Sequence, residues 1–409
     1  MERYTQMKNS GVGWIQDIPT GWGVRVLFQL ADQVKNKNKD LAEKNLLSLS
    51  YGKIKRKDIN NPEGLLPESF DGYNIIEAND IVLRLTDLQN DHTSLRVGQA
   101  KERGIITSAY TTLRPSAFVN PKYLYYVLHA YDLIKGFYGM GSGVRQGLNY
   151  DEVKAIKVPF PSMEEQRCIT AYLDDQVEQI DSAIGDAKRN IEEYKQWRES
   201  IVFEAVTKGV DSSFDMRESN IDIIGCIPRH WRVKRLKFLC TISTGNQDTQ
   251  NADPDGVFPF YVRSPIVERA NTFTYDGEGI LMAGDGAGAG RVFHHAFGKY
   301  AIHQRVYCLH DFKDVVPRFL YYFMSSRFSV EMDKGSAKST VPSVRLPMLQ
   351  NFRICLPSNE EQRKIVEYLD EKIEEIDAVI ENKTTLINDL ELYKRSLIYE
   401  TVTGKRRVV

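Results

Sequence analysis

The sequence predicts an α+β chain: two globular domains separated by two long helices that form an antiparallel coiled coil, with pseudo-twofold symmetry. Three observations lead there. A segment recurs at a constant offset of 196 residues, Pro161-Ser162-Met163-Glu164-Glu165-Gln166-Arg167 returning as Pro357-Ser358-Asn359-Glu360-Glu361-Gln362-Arg363. Both copies continue with helical apolar spacing and no internal proline. The stretch before each copy holds short apolar runs between polar loops, the pattern of strands and turns. The implied division is 1–160 and 209–356 for the two heads, and 161–208 and 357–409 for the helices.

Taken in order, the N-terminus Met1–Ser10 is polar and carries no apolar core, so it is not expected to be a secretory signal. Each head opens alike, Ile18-Pro19, Trp22, Val24 and Leu27 echoing as Ile227-Pro228, Trp231, Val233 and Leu236. In the first head Lys35–Lys39 and Lys53–Lys57 are dense in cations, and Ala78–Leu85 reads as a buried strand followed by the polar loop Thr86–Asp91. Pro121–Ala130 reads as a helix opened by proline. In the second head Gly279–Met282 is the matching strand and Pro317–Ser326 the matching helix.

The long helices follow. Leu173, Val177, Ile180, Ile184, Ala187, Ile191, Tyr194, Ile201 and Ala205 keep a 4-3 spacing broken at Arg198. Leu369, Ile373, Ile376, Ile380, Ile387, Leu390 and Leu397 keep it in the copy, with Lys383 and Lys394 as polar interruptions. Ser162 and Ser358 supply capping hydroxyls, with acidic residues in the first turn where the helix dipole favours them. Leu173, Ile180, Ile184, Leu369, Ile376 and Ile380 are expected to pack between the helices.

The 409 residues carry a formal net charge of −1, with 42% hydrophobic, 11% aromatic and 27% charged residues, a folded composition that excludes whole-chain disorder. Charge is unevenly placed. Residues 162–208 hold 6 Lys+Arg against 11 Asp+Glu and 358–409 hold 9 against 12, which leaves the two heads with about seven excess positive charges. Basic heads on acidic helices suggest nucleic acid at the heads. No apolar run reaches the roughly 20 residues of a membrane helix. The odd, scattered cysteines Cys168, Cys226, Cys240, Cys308 and Cys355 fit reduced thiols in a cytosol.

Catalytic motifs do not assemble. Gly139–Gly143 and Gly284–Gly290 lack the strand, G-x-G-x-x-G, helix setting of a dinucleotide loop. A Walker lysine is absent, and Asn61-Pro62-Glu63-Gly64 is not the base-holding motif of amino-methyltransferases. His294, His295, His303 and Cys308 lack metal-ligand spacing, and no nucleophile, base and orienting acid stand out together. The expectation is a chain with no catalytic residue and no bound metal.

These features resemble the specificity (S) subunit of type I restriction-modification systems over essentially the full length. The carriers are the Trp-containing openings at Pro19–Leu27 and Pro228–Leu236, the segment Gly141–Leu148 running into Lys157–Pro161, and the paired Glu-Glu-Gln-Arg helix starts. The second head departs from the first at Gly335–Ser343. The resemblance implies two target recognition domains, each reading half of a bipartite asymmetric site in double-stranded DNA. It implies helices that set the spacer and dock two methyltransferase subunits, and restriction (translocase) subunits as further partners, in the cytoplasm and with no membrane association. S-adenosylmethionine is then expected on the methyltransferase subunits, ATP and Mg on the restriction subunits, and no cofactor on this chain. The expected DNA-binding residues are Lys37, Lys55, Arg56, Arg84, Thr86, Gln89, Asn90 and Arg96 in the first head. In the second they are Asn246, Gln247, Arg263, Arg291, Arg305 and Lys338. The alternative reading is a coiled-coil scaffold that binds no DNA.

Overall fold

A computed structural model describes residues 4–60, 69–91, 93, 95–140, 147–211, 213–335 and 342–408. Lys338, the run 141–146 and Asn61-Pro62-Glu63-Gly64 lie outside them. Two compact units form, residues 1–187 with 385–409 and residues 188–384. Each unit therefore holds one head and a part of each long helix.

In the first unit, β1 (Met7–Asn9) pairs with β2 (Asp17–Pro19), and β3 (Gly23–Val26) leads to β4 (Ala31–Gln33), β5 (Leu46–Ser50), β6 (Lys53–Lys57) and β7 (Asn74–Ile76). Then come β8 (Ile81–Leu83), β9 (Val97–Gln99), β10 (Gly104–Ile106) and β11 (Thr111–Pro115). Helix α1 (Pro121–Leu133), the single turn α2 (Tyr150–Val153), β12 (Lys157–Phe160) and the long α3 (Met163–Lys208) follow. Two four-stranded sheets result, in the orders β6-β5-β10-β7 and β4-β11-β8-β9, while β12 closes back on β3. The expected strand 78–85 narrows to Ile81–Leu83, whose side chains are fully buried, because Asn79 takes a left-handed φ of 74° before it. Helix α1 starts where proline predicts. Asn120 accepts from the amides of Lys122 and Tyr123, and the helix stops before Lys135 at φ 62°.

The second unit repeats this plan. Its strands are β13 (Met216–Glu218), β14 (Cys226–Pro228), β15 (Arg232–Arg235), β16 (Thr241–Thr244), β17 (Phe258–Tyr261) and β18 (Glu268–Ala270). They continue with β19 (Tyr275–Asp276), β20 (Gly279–Ala283), β21 (Phe293–Ala296), β22 (Lys299–Ile302) and β23 (Val306–His310). Then follow α4 (Pro317–Gly335), α5 (Leu346–Asn351), β24 (Arg353–Leu356) and the long α6 (Asn359–Val402). The sheet orders β18-β17-β22-β19 and β16-β23-β20-β21 match the first head strand for strand. Even the parallel pairing of neighbouring strands is shared, Leu46 opposite Ile105 and Phe260 opposite Ala301. Trp231, Phe319, Phe323, Phe328 and Phe352 fill the core together with Val202 and Val206 of α3 and Ile365 and Leu369 of α6.

The helix segments pair antiparallel within each unit. In the first, Tyr172 meets Arg406 at 3.4 Å and Asp181 meets Lys394 at 2.6 Å. In the second, Arg198 meets Asp377 at 3.1 Å and Lys383 lies 6.0 Å from the Tyr194 ring. Asp377 and Lys394 are the repeat copies of Asp181 and Arg198, so both units build the same ion pair with the helices' roles exchanged. The interruptions Arg198 and Lys394 in the apolar stripe are thus register markers. Leu173, Ile180, Ile184, Leu369 and Ile376 are buried and Ile380 is half-buried. Among the described residues no helix is long and apolar enough to cross a membrane. The five cysteines are free thiols.

Candidate nucleic-acid interface

The repeated Glu-Glu-Gln-Arg motif is a joint between head and helix. Ser162 and Glu165 form a reciprocal cap, the Glu165 amide donating to Ser162 Oγ at 3.2 Å and the Ser162 amide to Glu165 Oε2 at 3.2 Å. Glu165 also accepts the Trp22 indole N–H at 3.0 Å. Glu361 repeats this with Ser358 and with Trp231 at 3.3 Å. Burial pushes the Glu361 carboxyl upward, but hydrogen bonds from His230 and Ser358 outweigh it and hold the group below its ordinary range. The next residue bridges inward. Buried Gln166 accepts from the Asn120 amide at 2.8 Å and donates to the Pro161 carbonyl at 3.0 Å, and Gln362 does the same with Val316 and Pro357 at 2.7 and 3.1 Å. Tyr126 donates to Asp174, and Tyr322 to Asp370. These contacts fix each head on its helix.

In the first head, β5 and β6 form a hairpin whose two-residue turn, Tyr51-Gly52, has φ of 46° and 75°. Such doubly left-handed turns suit the twist of paired strands. Ile54 packs inward, leaving Lys53, Lys55, Arg56 and Lys57 exposed, with Tyr51 exposed at the tip. Arg56 is committed to a two-point ion pair with Glu102, and Lys37 donates to the Gly72 carbonyl at 2.8 Å. Lys53 and Lys55 are exposed, and among the described residues neither ammonium has a partner.

In the same head, Thr86, Gln89 and Asn90 stand exposed on the loop after β8, anchored by fully buried Leu88. Arg84 is half-buried, 3.7 Å from Asp91. Arg96 corrects the sequence expectation. It is fully buried, and its guanidinium donates to the carbonyls of Arg84 (3.2 Å), Thr86 (2.8 Å), Asp87 (3.2 Å) and Asp91 (2.5 Å) and to the Tyr138 hydroxyl (2.9 Å). Its amide donates to Asp132 at 2.6 Å. Burial raises the Asp132 carboxyl to about 6 despite that bond and the nearby cations. Arg96 therefore shapes the loop from inside and cannot reach a base. A lone acid in the apolar helix run Leu128–Leu133 was the available clue, since a buried carboxylate needs a buried donor.

In the second head, Arg263 follows β17, Arg305 follows β22 and Asp285 follows β20. Their side chains converge: Asp285 accepts from Arg263 Nη1 at 2.9 Å and from Arg305 Nη1 at 2.7 Å. Burial pushes Asp285 upward, yet the two guanidiniums hold it below its usual value. Of the glycines of 284–290, Gly286 and Gly290 take left-handed φ of 75° and 64°, and Gly284 and Gly288 are packing requirements. A Cβ at Gly284 would lie 2.9 Å from the Arg305 carbonyl oxygen and one at Gly288 would lie 2.6 Å from that of Arg263. Arg291 pairs with Asp333 at 2.7 Å, and exposed Asn246 accepts from Thr274 at 3.1 Å. Gln247 is a second correction: it is buried, donating to the Thr272 carbonyl and hydroxyl at 3.2 and 2.9 Å, and so holds a turn. Among the described residues no cluster could hold a metal ion. His294, His295 and His303 instead bond to the Ser264 carbonyl, Glu278 and Thr249.

A family model, the type I restriction modification DNA specificity domain, matches residues 19–192 and 228–392, one copy per repeat. The chain belongs to this family. The putative MjaX specificity subunit of a type I restriction enzyme from Methanocaldococcus jannaschii is 24% identical over 421 residues, covering 96% of each chain. The MjaVIII specificity subunit of the same organism is 25% identical over 370 residues, 82% of this chain and 80% of that one. The EcoDI specificity subunit of Escherichia coli is 25% identical over 181 residues, 44% of this chain and 40% of that relative. Among solved structures, a chain from a study of complex assembly and conformational transition of the type I R-M system superposes with a TM-score of 0.73 at 15% identity, covering 95% of this chain and 99% of that one. The HsdS subunit of Thermoanaerobacter tengcongensis gives 0.52 at 15% identity, covering 95% and 98%.

Within the specificity family the two heads keep one frame and differ in what they expose. In the first, the structure gathers Thr86, Gln89 and Asn90 on one loop; in the second it gathers Arg263 with Arg305. Sequence reasoning passed over Asp285, whose only mark was an acid set between Gly284 and Gly286. The frame also repairs the weak match of the second head at 335–343. The Leu148 amide donates to the Leu85 carbonyl and the Val344 amide to the Gly284 carbonyl, both at 2.8 Å, so Leu148 and Val344 are equivalent at the same 196-residue offset.

Proposed function

We propose that this chain is the DNA-reading subunit of a type I restriction-modification complex, each head reading one half of a bipartite asymmetric site. The paired helices set the unspecific spacer and dock two methyltransferase subunits, which restriction subunits join. On this reading S-adenosylmethionine belongs to the methyltransferase subunits, ATP and Mg to the restriction subunits, and the chain itself contributes recognition in the cytoplasm without catalysis. The observation that carries it is the pair of heads with identical strand order and different exposed polar sets, each locked to its helix by the same Glu-Gln joint. A protein-binding scaffold would need the joints but not two divergent polar surfaces. The Thr86, Gln89 and Asn90 loop and the Arg263 and Arg305 pair supply groups that read base edges, and Lys55 supplies a phosphate contact.

The test is genome-wide adenine methylation in cells that express the chain with a type I methyltransferase subunit. A new two-part motif with a fixed gap is the expected result. No new motif from a complex shown to form would return the chain to the scaffold reading.

A further inference from the structure

We infer that the second head reads guanine, through Arg263 and Arg305 held as a pair by Asp285. This rests on the DNA-reading function proposed above and names the base chemistry of one half-site. The three residues come from both sheets of the head. Arg263 and Arg305 follow the adjacent parallel strands β17 and β22, whose ends Tyr261 and Ile302 are register partners. Asp285 follows β20 of the other sheet, where Ala283 faces Val306. The acid is rigidly placed. The Gly284 amide donates to the Arg305 carbonyl at 2.9 Å, the Gly286 amide to the Pro342 carbonyl at 3.0 Å, and Asp285 itself bridges to Ser343. The Arg305 amide is tied to His303 Nδ1 at 3.0 Å.

Exposure separates the roles. The Asp285 side chain is 17% exposed, while those of Arg263 and Arg305 are 43% and 62% exposed. Each guanidinium gives Nη1 to the acid, and among the described residues its Nε and Nη2 have no protein partner. A surface meant to neutralise phosphates would gain nothing from an acid at its centre, since Asp285 cancels one of the two positive charges. What the acid provides is direction: two planar forks fixed in orientation beside an open depression lined by Thr249, Ser264 and Gly286. A fixed guanidinium fork matches the two acceptors, O6 and N7, that guanine alone presents side by side in the major groove. The corresponding loop of the first head, Thr107-Ser108-Ala109-Tyr110, contains no cation, so the inference applies to one half-site.

The experiment maps the methylated motif made by the full chain with its methyltransferase subunit, for wild type, Arg263→Lys, Arg305→Lys and Asp285→Asn. Lysine keeps the charge for a phosphate but loses the fork. Each lysine variant is expected to relax discrimination at a guanine of one and the same half-site by roughly ten- to hundredfold. Asp285→Asn should relax the positions of both arginines, and the other half-site and the gap should stay unchanged, which also shows that the variants fold. A wild-type motif without a G·C pair in either half overturns the inference whatever the variants do. So does a lysine variant that lowers methylation evenly or relaxes only an A·T position. Failure of any two-part motif to appear from an assembled complex would overturn the DNA-reading function itself, a result distinct from these.

Discussion

The two heads share strand order, helix joint and ion-paired helix register, yet each stiffens its exposed polar groups by an opposite device. The first buries a cation, Arg96, beneath a loop of exposed neutral side chains, and the second half-buries an anion, Asp285, between two exposed cations. The frame tolerates both because these exposed polar groups lie beyond the ends of strands, outside the ladders that hold the sheets. One architecture can therefore present neutral amide and hydroxyl groups on one side of the repeat and guanidiniums on the other.

The sharpest way to break the comparison is to remove each buttress. Arg96→Ala would take the guanidinium away from four loop carbonyls and the Tyr138 hydroxyl, while the main-chain amide at 96 keeps its bond to Asp132. A cost of several kcal/mol is expected, at about 1–3 kcal/mol for each buried acceptor left unsatisfied. Denaturant melts should show that loss, and methylation mapping should show the first half-site degraded with the second intact. Asp285→Asn keeps its shape and loses only charge at a partly exposed cluster, so its effect should fall on base preference with little change in stability.

Acid should distinguish the units next. His129 on α1 is buried, stacks on Tyr125 and lies near Lys394 and Asp181. Burial first, then Lys394, lowers its pKa from 6.5 to about 4. The folded pKa is depressed, so the neutral ring's contribution is complete above about pH 6.5 and is lost as pH falls toward 4, by about 3 kcal/mol at most. Asp132, raised to about 6, acts in the opposite sense as pH falls, so the quantity to measure is the difference between wild type and His129→Ser. Serine is the residue at the repeat position, Ser325. Hydrogen exchange of the α1 amides should lose protection in acid in wild type and lose less in the variant. Equal pH profiles would mean that His129 is hydrated in the folded state.

The joint offers the converse test, an effect that ought to be equal. Gln166 and Gln362 make the same two main-chain bonds in their own units. Alanine at either should cost about 1–3 kcal/mol, because a buried amide and a carbonyl lose their partner. Unequal losses would show that the repeat conserves the motif without conserving its work.

How far these features were legible follows from how local their causes are. The long helices could be read because a proline-free 4-3 stripe and a serine cap are local, and α1 because Asn120-Pro121 is. The strand 78–85 was read too long, since the left-handed turn at Asn79 is set by contacts outside the run. Arg96 and Gln247 look like readers in the sequence because a cation or an amide in a polar stretch looks exposed until its partners, Tyr138 or Thr272, are brought from tens of residues away. Asp285 went unread for the same reason, its two arginines lying 22 residues before it and 20 after. Residue type told which groups could read a base; only tertiary packing told which of them face outward.

The smallest expected effect bears on the part of the molecule where the units agree most. Asp181 with Lys394, and Arg198 with Asp377, are partly exposed pairs, for which about 0.2–1 kcal/mol each is the usual worth. Their placement in the apolar stripe argues that register matters more than stability. A leucine at 198 or 394 would extend the stripe and allow the helices to slide by a turn, as loss of a single polar stripe residue does in coiled coils. Replacing both cations by leucine should thus leave the melting temperature equal or higher while the gap between half-sites loses its single value. Exchanging charges within one pair of the otherwise wild-type chain, Asp181→Lys with Lys394→Asp, should keep a single gap. A leucine variant with an unaltered gap would place register control in the Glu-Gln joints instead, at the helix starts where the heads are fastened.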